Sequence, residues 1–149
     1  MQGLDDVDRT ILRLLAGDGR MSFTDLAKAT GLSTSAAHQR VRRLEQRGVV
    51  RGYAAVTDPE AIGLPLTAFI SCTPIDPADP DDLPERLAEL PAIEACHSVA
   101  GDYNYVLKVR VLGPAALETL IAEVRARGNV TTRTTVVLST AFEGRPPAV

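Results

Sequence analysis

The stretch that decides the fold is Gly31-Leu32-Ser33-Thr34-Ser35-Ala36-Ala37-His38-Gln39-Arg40-Val41-Arg42-Arg43-Leu44-Glu45-Gln46-Arg47-Gly48. Gly31 can take the positive φ of a tight turn, and Ser33 or Thr34 is suited to cap a helix that runs to about Arg47 and stops at Gly48. Projected at about 100° per residue, Ala37, Val41 and Leu44 share one side of that helix. Ser35, Gln39, Arg42, Arg43 and Gln46 fall opposite, with Arg40 and Arg47 on the flanks. A narrow apolar seam facing a side of Ser, Gln and Arg suits a helix that enters a major groove. Gln pairs with adenine edges, Arg with guanine edges or phosphates, and Ser with either.

The neighbouring residues complete the motif. Upstream, Val7, Ile11, Leu14 and Leu15 form one apolar helix face, and Asp5, Asp6 and Asp8 occupy its first turn, where the helix dipole favours negative charge. Ser22 is placed to cap a short second helix carrying Leu26 and Ala27. Downstream, Val49 to Val56 predicts a small β-hairpin in which Arg51 meets a phosphate. Three helices with a Gly turn and a following hairpin describe a winged helix-turn-helix.

Beyond the breaker Asp58-Pro59-Glu60-Ala61-Ile62-Gly63 the pattern changes. Strands are expected over 66–75, 93–99, 105–111 and 130–140, with helices around Leu83, Leu87 and Leu90 and around Leu117, Leu120, Ile121 and Val124. The order βαββαβ predicts a ferredoxin-like sandwich. The fold class is therefore α+β, with a winged helix-turn-helix and linker over residues 1–63 and a ferredoxin-like domain over 64–149. Apolar residues on both faces of the last strand (Val136 and Leu138 against Val137), with Phe69 opposite Leu66, Ala68 and Ile70, predict that a second copy covers the open sheet face.

Composition narrows the function. The chain has 149 residues and a formal charge of −3, but residues 20–57 carry seven Lys/Arg against two acids, a local charge of +5. From Leu64 onward the balance is −4. No apolar run approaches the roughly 20 residues needed to span a bilayer, and the acidic opening does not suit a secretory signal, so a soluble, cytoplasmic protein is expected. Cys72 and Cys96 fit neither a zinc quartet nor a disulfide framework, and His97 beside Cys96 points to the opposite strand face. Asp76, Asp79, Asp81 and Asp82 lack the spacing of a calcium loop. No nucleophile–base arrangement is legible, so no enzyme, metal or cofactor is expected. The competing class is a metabolite-sensing oligomeric adaptor that reads no DNA.

Leu4-Asp5-Asp6-Val7-Asp8-Arg9-Thr10-Ile11-Leu12, Gly31-Leu32-Ser33-Thr34-Ser35 and the run Arg40 to Tyr53 resemble the opening, turn, recognition helix and wing of the leucine-responsive/AsnC (feast/famine) transcriptional regulators. Val99-Ala100-Gly101-Asp102-Tyr103-Asn104-Tyr105 and Thr132-Arg133-Thr134 are similar to that family's effector-domain signatures. The resemblance implies a regulator that binds double-stranded DNA and is modulated by a small amino acid held between subunits of a RAM-type domain. It also implies homodimers that assemble further, often to octamers. The implied DNA-binding residues are Ser33, Thr34, Ser35, Gln39, Arg40, Arg42, Arg43, Arg47 and Arg51. The implied effector residues are Val99, Gly101, Asp102, Tyr103, Asn104, Tyr105, Thr132 and Thr134. The turn's N–H groups suit a carboxylate and Asp102 an ammonium group. Many members carry aspartate at the position of Asn104, where asparagine keeps an acceptor and loses the charge.

Overall fold

The computed structural model describes residues 3–146 and divides into two compact units, Met1–Val56 with Phe142–Val149, and Thr57–Ala141. The linker expected to close the first domain thus belongs with the second unit.

In the first unit, α1 spans Asp6–Gly17, α2 Phe23–Thr30 and α3 Thr34–Gln46. Each begins at a side-chain cap: Asp5 accepts from the Asp8 N–H at 2.7 Å, Ser22 from Asp25 at 3.1 Å and Ser33 from Ala36 at 3.2 Å. Gly31, at φ 69°, ends α2 in the left-handed conformation and returns its N–H to the Ala27 carbonyl, so α3 starts almost at once. Ile11, Leu26, Ala27, Ala37, Val41 and Leu44 form the small core between the three helices.

The expected hairpin is not formed. Residues 51–58 are assigned neither helix nor strand, and Arg51 to Asp58 are exposed. Gly48, also at φ 69°, turns the chain so that the N–H groups of Val49 and Val50 both reach the Leu44 carbonyl, at 2.9 and 3.2 Å. Those two residues therefore close the helix end instead of pairing with Tyr53 to Val56, and the intended first strand is lost.

The second unit is one antiparallel sheet carrying two helices. Strands β1 (Leu66–Pro74), β2 (Ile93–Ser98), β3 (Tyr105–Val111) and β4 (Val130–Val136) lie in the order β2-β3-β1-β4. Helix α4 (Leu83–Leu87) follows β1 and α5 (Pro114–Gly128) follows β3, which is the ferredoxin-like arrangement. Ala68, Ile70, Cys72, Leu107, Val109, Leu117, Leu120 and Val124 are buried between sheet and helices. Strand β3 alternates fully between buried and half-buried residues, as its sequence predicts.

The last strand is shorter than expected, ending at Val136, and Val136 shares the helix-covered face because it pairs with Ala68. Leu138 lies beyond the sheet and is exposed. The open face is consequently more polar than the sequence pattern predicts. Phe69 and Val106 sit there beside Lys108 and Arg110, which flank Glu94 at 2.8 and 2.5 Å. Burial pushes Glu94 up, but hydrogen bonds from Arg110 and Lys108 outweigh it and hold the carboxyl below its ordinary range.

Where α5 ends, Gly128 is buried against α4. A Cβ at that position would meet Leu83 Cδ1 at 2.5 Å and Val130 Cγ2 at 3.2 Å. Gly128→Ala is expected to destabilise the protein by ~1–3 kcal/mol through overpacking. A thermal melt checks it: each kcal/mol should lower the midpoint by about 2–4 °C.

Candidate nucleic-acid interface and effector turn

Packing divides the surface of α3 into sectors. Ala37, Val41 and Leu44 face inward and are almost fully buried. On one flank, Arg40 Nη1 donates to Asp5 Oδ2 at 2.6 Å and to Asp8 Oδ1 at 2.8 Å. Arg43 Nη2 reaches both Asp8 oxygens at 3.3 Å. Asp8 is 1% exposed, so two arginines of α3 close over a carboxylate of α1. On the other flank, the ring of His38 meets Phe23 edge-on at 4.7 Å, and Tyr53 donates to Glu45 Oε1 at 2.9 Å. Between the flanks lie Ser35, Gln39, Arg42 and Gln46, all exposed.

The implied DNA-binding residues therefore fall into three groups. Ser35, Gln39 and Arg42 share the outward sector with Gln46. Ser33 spends its side chain on the helix cap, beside Thr34 at the helix start, while Arg47 and Arg51 lie at and beyond the helix end. Arg40 and Arg43 are turned toward α1. Asp8 was legible only as a favourable charge in a first helical turn. Its spacing from Ile11, at i+3, was the signal that it shares the buried face.

The effector-signature residues separate as well. Val99 N–H donates to the Asn104 carbonyl at 2.9 Å, and Asn104 N–H to the Cys72 carbonyl at 3.1 Å, which pins the turn to the end of β1. Between them Gly101 sits at φ 151°, and the N–H groups of Ala100 to Tyr103 have no backbone acceptor among the described residues. Tyr105 points into the core and donates to Asp81 Oδ1 at 3.3 Å. Thr132 and Thr134 lie across β1 from that position, about 10 Å from Tyr105 at two strand spacings. Thr132 Oγ1 accepts from Arg125 Nε at 2.7 Å. The direct tie between the turn and β4 is made by Arg133, whose Nη1 donates to Tyr103 Oη at 3.3 Å. Sequence reasoning passed over Arg133, although strand alternation already set it on the face opposite the two threonines.

Burial, with Cys96 nearby, pushes the Cys72 thiol up to about 12. Burial raises Cys96 as well. Among the described residues no group of three or more His, Cys, Asp or Glu is arranged to hold a metal ion. None of the described helices is long and apolar enough to cross a membrane.

Comparison with known proteins identifies both domains. Residues 4–45 match the AsnC-type helix-turn-helix domain and residues 67–147 the Lrp/AsnC ligand binding domain. The HTH-type transcriptional regulator LrpA of Mycobacterium tuberculosis is 51% identical over 144 residues, spanning 97% of this chain and 96% of that protein. The chain belongs to the Lrp/AsnC family. The leucine-responsive regulatory protein of Escherichia coli is 39% identical, with 91% of this chain and 85% of that protein aligned. A feast or famine regulatory protein of M. tuberculosis, solved in complex with L-methionine, superposes with a TM-score of 0.95 at 50% identity, covering 97% of this chain and 99% of the other. The molecule is thus an Lrp/AsnC transcriptional regulator in which a helix-turn-helix precedes a ligand-binding domain.

The Asp5–Arg40 pair has a pH signature. The hydrogen bond from Arg40, followed by that from the Asp8 N–H, holds the Asp5 carboxyl below its ordinary range, and hydrogen bonds to Asp5 and Asp8 raise Arg40 further. A depressed acid contributes stability that is fully present above its unfolded value, about 3.9, and is lost as pH falls through the folded one. In a carbon-detected NMR titration Asp5 should therefore titrate below the ordinary range, and should return toward it in Arg40→Gln.

Proposed function

We propose that this regulator reads operator DNA with the sector Ser35, Gln39 and Arg42 of α3, and that an amino acid bound at the turn 99–104 modulates it. The observation that carries the reading is the sector itself: a capped helix whose exposed residues between two occupied flanks are Ser, Gln, Arg and Gln. Gln39 and Arg42 suit bidentate recognition of adenine and guanine edges, and the exposed start of α3 at Ser33 and Thr34 suits a phosphate. Arg47 and Arg51 extend the positive surface beyond the helix end. Double-stranded DNA is the proposed partner and the cytoplasm the proposed compartment; no catalytic step and no cofactor enter the reading.

For the effector, the free N–H groups of the turn and the carboxylate of Asp102 offer complementary partners to a zwitterion. A relative of 50% identity that was solved with L-methionine supports the amino-acid class. Val99, Gly101, Asp102, Tyr103 and Asn104 form the proposed receiving turn. Tyr105 supports it from the core, and Thr132 and Thr134 belong to a surface that a second subunit would complete. Asn104 in place of aspartate lowers the negative charge available to an ammonium group and so leaves Asp102 as the principal anion. The proposed assembly is a homodimer built up to an octamer, supported by exposed apolar residues such as Phe69, Val56 and Leu138.

Two measurements test this reading. Selection from a random duplex pool with the full chain should enrich one motif, and failure to enrich any would favour the adaptor. A thermal-shift screen with L-methionine and the other nineteen amino acids should give at least one compound that raises the midpoint, since ligand at 100 times Kd stabilises by about 2.7 kcal/mol. That shift should vanish in Asp102→Asn; a shift retained in full removes the turn from the site.

A further inference from the structure

We propose that Asp8 is a positioning residue for DNA reading, fixing the roll of α3 about its axis and withholding Arg40 and Arg43 from the phosphates. The inference rests on α3 being the DNA-reading helix. Three observations on the molecule carry it. First, Asp8 is 1% exposed and meets Arg40 at 2.8 Å and Arg43 at 3.3 Å, while Asp5 takes Arg40 at 2.6 Å from the solvent side. Second, the seam of α3 that meets α1 and α2 is made of Ala37, Val41 and Leu44, and such apolar contacts set no direction. Third, Arg42 is exposed and forms no ion pair among the described residues, so the same helix carries a committed pair of cations and an uncommitted one.

Arg40 gives one guanidinium nitrogen, Nη1, to Asp5 and Asp8, and Arg43 gives Nη2 to Asp8 while its side chain stays half exposed, so each charge already faces a carboxylate. To meet a phosphate, Arg40 would have to leave Asp8 buried and unpaired, which is strongly unfavourable. The clamp thus selects which cations face DNA. It keeps Arg40 and Arg43 out of sequence-independent attraction and leaves discrimination to the outward sector.

The experiment is a fluorescence-anisotropy salt titration of the full-length chain. It uses a duplex selected by the wild-type protein and a shuffled duplex of the same composition. Each cation that neutralises a phosphate contributes about 0.9 to the slope of log K against log salt. Arg42→Gln removes a base contact and is expected to lower the preference for the selected duplex about tenfold. Arg40→Gln and Arg43→Gln are expected to leave it at the wild-type value, whatever they do to the melting point. Asp8→Asn releases both arginines, so the slope should steepen and the preference for the selected duplex should fall about tenfold, the size of one lost base contact. The double variant Asp8→Asn/Arg40→Gln should bring the slope back toward wild type. If Asp8→Asn does not fold, the two single arginine variants decide the matter, because an arginine that does meet a phosphate must flatten the slope when it is removed. A loss of about 0.9 for Arg40→Gln or Arg43→Gln overturns the inference and makes that arginine a phosphate ligand. A wild-type chain that binds neither duplex overturns the DNA reading itself, and does so before any variant is made.

Discussion

The Asp8 carboxylate lies where α1 meets α3, with almost no exposure to water, and among the described residues it is the one buried charged side chain. A carboxylate in that position is tolerable only with charged partners at hydrogen-bonding distance, since an uncompensated buried charge costs about 3–5 kcal/mol. Arg40 and Arg43 supply them from a single face of α3, one turn apart. The consequence is directional. The apolar residues of the first unit drive the helices together, but Ala37 and Val41 are small, and neither defines a unique rotation of α3. The ion pair does, because turning the helix by one residue position would carry both guanidinium groups away from Asp8.

The opposite flank repeats the logic with weaker bonds. His38 leans edge-on against Phe23 of α2, and Glu45 accepts from Tyr53 beyond the helix end. Between the two flanks the helix has little left to offer a ligand except Ser35, Gln39, Arg42 and Gln46. The presented surface of α3 is thus defined by subtraction: three sides are occupied by core, ion pair and ring contact, and the fourth is left to solvent. The second unit solves an equivalent problem with register. Asn104 donates to Cys72 and Val99 to Asn104, which leaves the N–H groups of Ala100 to Tyr103 without a backbone acceptor among the described residues. The ladder therefore positions a turn whose own residues need make no interior contacts.

Much of this was legible from one chain. The caps at Ser22 and Ser33, the turn at Gly31, the apolar seam of α3 and the alternation of β3 all follow from local rules and a single periodicity, and each was formed where expected. What failed was tertiary. Val49 and Val50 read as strand, but the carbonyl of Leu44 took both their N–H groups, a competition that no propensity encodes. The last strand was read too long because the apolar run continues through Leu138, whereas the last bond to β1 is that from the Val137 N–H to the Thr67 carbonyl and Leu138 lies exposed beyond it. In the effector signature the two threonines drew notice and Arg133 did not, although Arg133 is the residue that reaches Tyr103.

The sharpest difference between sequence and structure concerns charge. Counting Lys and Arg over residues 20–57 treats every cation there as available to DNA, and that count includes Arg40 and Arg43. Their carboxylate partners, Asp5 and Asp8, lie just outside the counted segment, at the start of α1. Helix packing brings the two stretches together, so the acids that looked like ornaments of a helix dipole remove part of the positive field of the recognition helix. Net charge over a window says how a chain is attracted to a polyanion; which cations meet it depends on what the fold has already placed beside them. In this protein the acidic opening and the basic helix form one electrostatic unit, and Ser35, Gln39, Arg42 and Gln46 are the α3 residues left outside it.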